Sequence, residues 1–152
     1  MRGERRRGKR GFTLVELLVA LAIAAALAAI AWPGYRQVMH RSQRIEARLA
    51  LLRLQYLQER HFADHHVYAG GLGAEGSGGL AMPAVTEYGN YDLSVMLDVT
   101  GQAYVVIARA RPSGRQAGDR QCQALSIDAL GTRRSAAADG QWRPEPGGGC
   151  WS

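Results

Sequence analysis

Apolar and polar positions divide the chain into stretches of three kinds: uniformly apolar, helically periodic and strictly alternating. Residues 12 to 32, FTLVELLVALAIAAALAAIAW, are apolar on every helical face except at Thr13 and Glu16. A helix of that length rises about 30 Å, the thickness of a bilayer's hydrocarbon core, so the run predicts a membrane-spanning helix. Pro33-Gly34 follows at once. The pair would break most helices, yet the helical period resumes behind it, which predicts one long helix with a kink or local melt at Pro33 and Gly34. Further on, Val38, Ile45, Leu49, Leu52 and Tyr56 form a stripe at helical spacing that is expected to cover a core. Leu51, Leu54 and Leu57 fall off that stripe, on a second side expected to meet something else, such as a partner. The helix is expected to end near His66.

Residues 69 to 79, AGGLGAEGSGG, read as loop by composition. Beyond them the period falls to two. In YDLSVMLDV (residues 91 to 99), Tyr91, Leu93, Val95, Leu97 and Val99 alternate with Asp92, Ser94, Met96 and Asp98. Gly101-Gln102 suits a hairpin turn into AYVVIARA (residues 103 to 110), and QALSID (residues 123 to 128) supplies a shorter third strand. The expected fold is α+β: a long N-terminal helix, membrane-spanning in its first half and amphipathic in its second, packed on a small antiparallel sheet of about three to four strands. The expected division is a basic segment over 1–11, the apolar helix over 12–32, its amphipathic continuation over 33–66 and a globular head over 67–152. From Leu130 onward the head ends in a tail rich in Gly, Pro and Arg.

Charge changes this picture at one end only. Of the net +6, residues 1 to 11 supply +5, with six basic side chains against Glu4, and the remaining 13 basic and 12 acidic residues nearly cancel. A basic cluster beside an apolar run holds that end of a chain on the cytoplasmic side of a membrane. It is therefore no sign of a nucleic-acid-binding domain by itself. The two cysteines, Cys122 and Cys150, lack CxxC spacing and histidine neighbours, so a disulfide formed in an oxidising compartment explains them better than zinc.

Other candidate chemistry is sparse. His61 and His65 are spaced i, i+4 with His66 beside them, but the sequence HFADH lacks the glutamate of HExxH, which leaves a solvated helix end as the expectation and no metal site. The glycine-rich loop lacks the Lys-Ser or Lys-Thr of a phosphate loop. No nucleophile, base and orienting residue fall together, so catalysis and a cofactor are not expected. Arg109, Arg111, Arg115 and Arg120, with Arg133 and Arg134 further on, ordinarily mark a solvated face. The sharper alternative is an electropositive patch for DNA.

Three accounts of KRGFTLVELL (residues 9 to 18) compete. In the first, Thr13 is an N-cap and Glu16 completes a capping box, which explains T-x-x-E but neither the glycine nor the basic run. In the second, an ordinary secretory signal with small-residue cleavage sites among residues 24 to 31 releases a secreted binding domain. The apolar run is long for such a signal, and Glu16 would weaken insertion by about 2.5–3.5 kcal/mol at the membrane centre.

In the third, the stretch closely resembles the class III signal of type IV prepilins: a short basic leader ending in glycine, then Phe-Thr-Leu-x-Glu-Leu opening a long apolar helix. The resemblance implies cleavage between Gly11 and Phe12 by a prepilin peptidase, N-methylation of Phe12, and pairing of Glu16 with the N-terminal amine of a neighbouring subunit during assembly. An intramembrane carboxylate needs a partner, and processing creates a charged amine in an equally apolar setting. Pro33 stands where many pilins carry a proline. RIEARLALLRLQYLQERHF (residues 44 to 62), Tyr68, CQALSIDALGTRR (residues 122 to 134) and the closing Cys150-Trp151 look like the PilE-like subgroup, in which the paired cysteines bound a surface loop called the D-region. Residues 69 to 120 match only in general strand pattern.

What the resemblance implies is a structural, non-enzymatic minor pilin of a type IV pilus, or fimbrium, serving adhesion, twitching motility or DNA uptake. Its implied partners are other pilin subunits, the prepilin peptidase and the pilus assembly platform, with DNA as a further candidate. Before assembly it would cross the bacterial inner membrane once, N-terminus cytoplasmic and head periplasmic; afterwards it would lie in the extracellular filament. Type II secretion pseudopilins share the N-terminal motif, but the major one commonly has a calcium site, and no clustered acidic loop here suggests one.

Overall fold

A computed structural model describes residues 12–74, 78–145 and 149–152. The chain divides into two compact units, Met1–Val38 and Met39–Ser152. One helix, α1 (Leu14–His65), belongs to both and is continuous through Pro33 and Gly34. Gly11, on one side of the expected cleavage point, lies outside the described residues together with the rest of the basic segment.

In the first unit the described residues are the N-terminal part of α1, and every side chain described there is exposed, the large ones included: Leu18, Leu21, Ile23, Leu27 and Ile30. A helix that is apolar all round must be covered by lipid or by other helices. At its start Thr13 Oγ1 accepts a hydrogen bond from the Glu16 backbone N–H at 3.2 Å, which is half of the capping box. The Glu16 carboxylate makes no return bond among the described residues and stays exposed.

In the second unit five strands follow the helix: β1 (Tyr91–Leu97), β2 (Tyr104–Ala110), β3 (Ala124–Asp128), β4 (Arg133–Ala136) and β5 (Trp142–Pro144). They pair in chain order, each antiparallel to the next. Alternation places Leu93, Ala108, Leu125 and Ser135 in one row, and Val95, Val106 and Ile127 in the next, on the face that α1 covers. Between β1 and β2 the Asp98 carboxylate accepts the backbone N–H groups of Gln102 and Ala103, both at 2.9 Å. Gly101 there has φ +70°, a conformation that side chains disfavour.

The sheet has one strand more than the upper expectation. β4 and β5 fall in the tail, where RRSA and WRP show no apolar alternation. They need none: β5 is an exposed edge held by backbone pairing, and the Cys122–Cys150 disulfide ties the chain behind it to the loop before β3.

The helix face in contact with the sheet also differs from the expectation. The buried positions are Arg44, Ala47, Leu51, Leu54 and Gln58. The expected stripe points out: Ile45 is 47%, Leu49 62% and Tyr56 66% exposed, with Val38 and Leu52 exposed as well. Ala47, Leu51 and Leu54 join the strands' inward side chains in one core. The two polar members are fully compensated: Gln58 donates through Nε2 to the Ala69 carbonyl and accepts the Ala69 N–H through Oε1, both at 2.8 Å, while Arg44 is paired with an acid far away in sequence.

Candidate functional site

The arginine-bearing segment between β2 and β3 is the best-defined surface feature of the head, and a buried polar network positions it. Arg44 on α1 makes a bidentate contact with Asp119, Nε to Oδ2 at 2.7 Å and Nη2 to Oδ1 at 3.0 Å, with both side chains buried. Asp119 Oδ1 also accepts the backbone N–H groups of Gln121 and Cys122, each at 3.3 Å. One turn earlier on α1, His40 Nδ1 lies 2.7 Å from Gln116 Oε1, and Gln116 Nε2 donates to the His40 carbonyl and the Tyr91 hydroxyl. Burial pushes the Tyr91 hydroxyl up to about 12, against the lowering effect of the Gln116 hydrogen bond, so it remains neutral at physiological pH.

A second set of contacts holds the near end of the segment. Glu46 accepts from the Tyr88 backbone N–H at 2.9 Å and from Asn90 Nδ2 at 2.6 Å. Asn90 in turn accepts the Arg115 N–H through Oδ1 and the Arg111 N–H through its carbonyl. Gly114 passes so close that a Cβ there would stand 3.1 Å from the Asn90 backbone. The chain from Arg111 to the short 3₁₀ helix (Arg115–Gly118) is therefore clamped onto α1 at several points.

The four arginines of this region do not share one environment. Arg109, on β2, occupies the sheet face turned away from α1, in register with Asp92 and Ala124. Arg111 forms an ion pair with Asp92 at 3.0 Å. Arg115 lines a groove beside α1 with Met39, Ile45, Glu46, Leu49 and Tyr88. Arg120 is exposed. Arg109, Arg115 and Arg120 have no ion pair among the described residues. The positioning residues Arg44, Asn90, Gln116 and Asp119 were missed in the sequence, because a buried polar residue looks like a surface one until its partner is known.

The C-terminal end is pinned in its own way. Arg48 on α1 donates to the Trp151 carbonyl at 2.7 Å, Trp151 Nε1 donates to the Arg134 carbonyl at 3.1 Å, and the Arg133 guanidinium stands 5.1 Å from the centre of the Trp151 ring.

An apolar N-terminal helix continued into an α+β head with a C-terminal disulfide is the architecture of a type IV pilin, and known proteins agree. The family described as type IV minor pilin ComP, DNA uptake sequence receptor, matches residues 33–126, and the prokaryotic N-terminal methylation motif matches residues 6–32. The chain belongs to this minor pilin family. It is similar to fimbrial protein EcpC of Eikenella corrodens, with 32% identity over 106 residues covering 70% of this chain and 65% of that protein. Type IV major pilin protein PilE1 of Neisseria gonorrhoeae is 32% identical over 87 residues, which cover 57% of this chain and 39% of PilE1. The chain thus spans less than two thirds of the length of either relative. A solved type IV pilin from Shewanella oneidensis is 20% identical with a TM-score of 0.49, covering 74% of this chain and 98% of that one.

Proposed function

We propose that the chain is a minor subunit of a type IV pilus whose head contacts DNA. In this reading a prepilin peptidase cuts between Gly11 and Phe12 and methylates Phe12, the apolar helix first anchors the subunit in the inner membrane with its head in the periplasm, and the assembly platform then transfers that helix into the filament. Glu16 pairs with the Phe12 amine of a neighbour and sets register, while Pro33 and Gly34 let the helix loosen inside the filament. The observation that carries the reading is a Glu16 carboxylate with no partner among the described residues, in a helix whose described apolar side chains are exposed. The exposed row Ile45, Leu49, Leu52 and Tyr56 continues the need for cover into the head's own part of α1, where neighbouring subunits would supply it.

DNA enters through the description of the matched family and through Arg109, Arg115 and Arg120, which form no ion pair among the described residues. Phosphates release counterions when arginines neutralise them, so affinity would fall steeply with salt.

Mass spectrometry of membrane and sheared-filament fractions tests the first part. A chain beginning at N-methylated Phe12 and present in the filaments is expected; one beginning near Trp32 would mean ordinary secretion and end the pilus reading. For DNA, replacing Arg109, Arg115 and Arg120 by Ala is expected to flatten the log–log salt slope by about 1 per phosphate contact removed. An unchanged slope, or no affinity at low salt, would remove DNA from the proposal.

A further inference from the structure

At the C-terminal end of α1 the imidazoles of His61 and His65 are stacked one turn apart, with ring centres 4.2 Å apart and planes inclined by 15°. Each ring rests its Nδ1 on a backbone carbonyl: His61 on Val67 at 3.0 Å, and His65 on His61 at 3.1 Å. A carbonyl can only accept, so in both rings Nδ1 carries the proton, and a neutral imidazole then keeps its lone pair on Nε2. Neither Nε2 has a partner among the described residues. Metal-binding histidines show the same arrangement, with the proton on the far nitrogen held by a carbonyl or carboxylate and the near nitrogen left to the ion.

We propose that His61 and His65 form a two-imidazole site for a borderline-soft divalent cation of the zinc, nickel and copper group. Their rings line a recess of about 210 Å³ together with Arg53, Arg60 and Asp64. Two imidazoles with Asp64 beside them offer too few oxygens for magnesium and calcium, ions that need several oxygen ligands. Imidazole lone pairs bind the softer ions by donation instead. The segment packed over the recess, Gly79, Leu80 and Ala81, brings no titratable side chain to compete.

The nearly parallel rings stand 4.2 Å apart, so capture needs only a small tilt that draws the two Nε2 atoms toward one ion while each Nδ1 stays on its carbonyl. His65 is exposed on the last turn of the helix and His61 half-buried one turn earlier, where such a tilt is cheap. The described residues hold no group of three or more metal-ligating side chains, so water completes the coordination. The site is independent of the pilus reading and of the arginines between β2 and β3.

The test is calorimetric titration of the full chain, in detergent and without a polyhistidine tag, with nickel chloride and separately with zinc chloride, alongside copper(II) electron paramagnetic resonance. One ion per chain is expected, with copper hyperfine coupling to two nitrogens. His65→Gln and His61→Gln should each weaken binding by about tenfold or more, at least the loss that follows when only an outer-shell partner of a ligand is removed. His66→Gln should leave it unchanged. No saturable binding by the parent chain, or equal binding by both His61→Gln and His65→Gln with unchanged circular dichroism, would overturn the proposal.

Discussion

Asp119 shows how much one side chain can hold in this head. It pairs with Arg44 and receives two backbone N–H groups, all within a buried site. Asp119→Ala would strand the Arg44 guanidinium without its partner, and we expect a loss of about 3–5 kcal/mol in chemical denaturation. Replacing both partners by apolar residues of similar size should restore most of that loss; a single substitution costing under about 1 kcal/mol would show the pair to be structurally idle. Tyr91 and Tyr104 make a second prediction, for alkaline pH. Burial raises both hydroxyls, Tyr91 to about 12 and Tyr104 also through the neighbouring Glu59 charge. An unfolded tyrosine loses its proton near pH 10, so between about pH 10 and 12 the folded head holds more protons than the unfolded chain. Stability is then fully present below about pH 10 and falls as pH rises toward 12. The chain has a single lysine, Lys9, outside the head, so lysine titration does not obscure the effect. Denaturation midpoints that stay flat from pH 9 to about 11.5 would contradict it.

α1 and the tail differ in what holds them. On α1 two leucines two positions apart face opposite surroundings: Leu51 is 0% exposed and Leu49 62%. Leu51→Ala should cost about 2–5 kcal/mol, whereas Leu49→Ala should leave the isolated head within about 0.5 kcal/mol of the parent. The discriminating readout is assembly, where Leu49→Ala is expected to lower the share of subunit recovered in sheared filaments. Equal stability losses in the two variants would mean that the buried face is misassigned. In the tail the disulfide closes a loop between residues 28 apart in sequence. Its removal by Cys122→Ala and Cys150→Ala should cost about 3–4 kcal/mol in the chain-entropy model. Hydrogen exchange should then report loss of protection first at β5 and β4, since β5 buries no side chain of its own. Protection unchanged at β5 would show the edge pairing to be sufficient alone.

Assembly belongs to the whole molecule, because the proposed pairing of Glu16 with a neighbour's Phe12 would act only between chains. Glu16→Ala is expected to leave membrane insertion intact, or improve it, and to block incorporation into filaments. Fractionation that finds the variant in sheared filaments at the parent's level would end the pairing role. Much of this was legible in sequence because it is local: a run of twenty-one residues, apolar except at Thr13 and Glu16, suffices for a bilayer-spanning helix, and a period of two suffices for β1 and β2. A cysteine pair with no zinc spacing suffices for the disulfide. The face of α1 that meets the sheet, the fourth and fifth strands and the clamp on residues 111 to 120 were not legible. Each depends on compensation between distant residues: Arg44 is buried because Asp119 is there to meet it, Gln58 because the Ala69 backbone is, and β5 pairs on the sheet edge with the tail behind it tied back through Cys150. A periodicity counts Arg44 and Gln58 as polar and turns them to solvent; only the folded chain brings the partners that make their burial favourable.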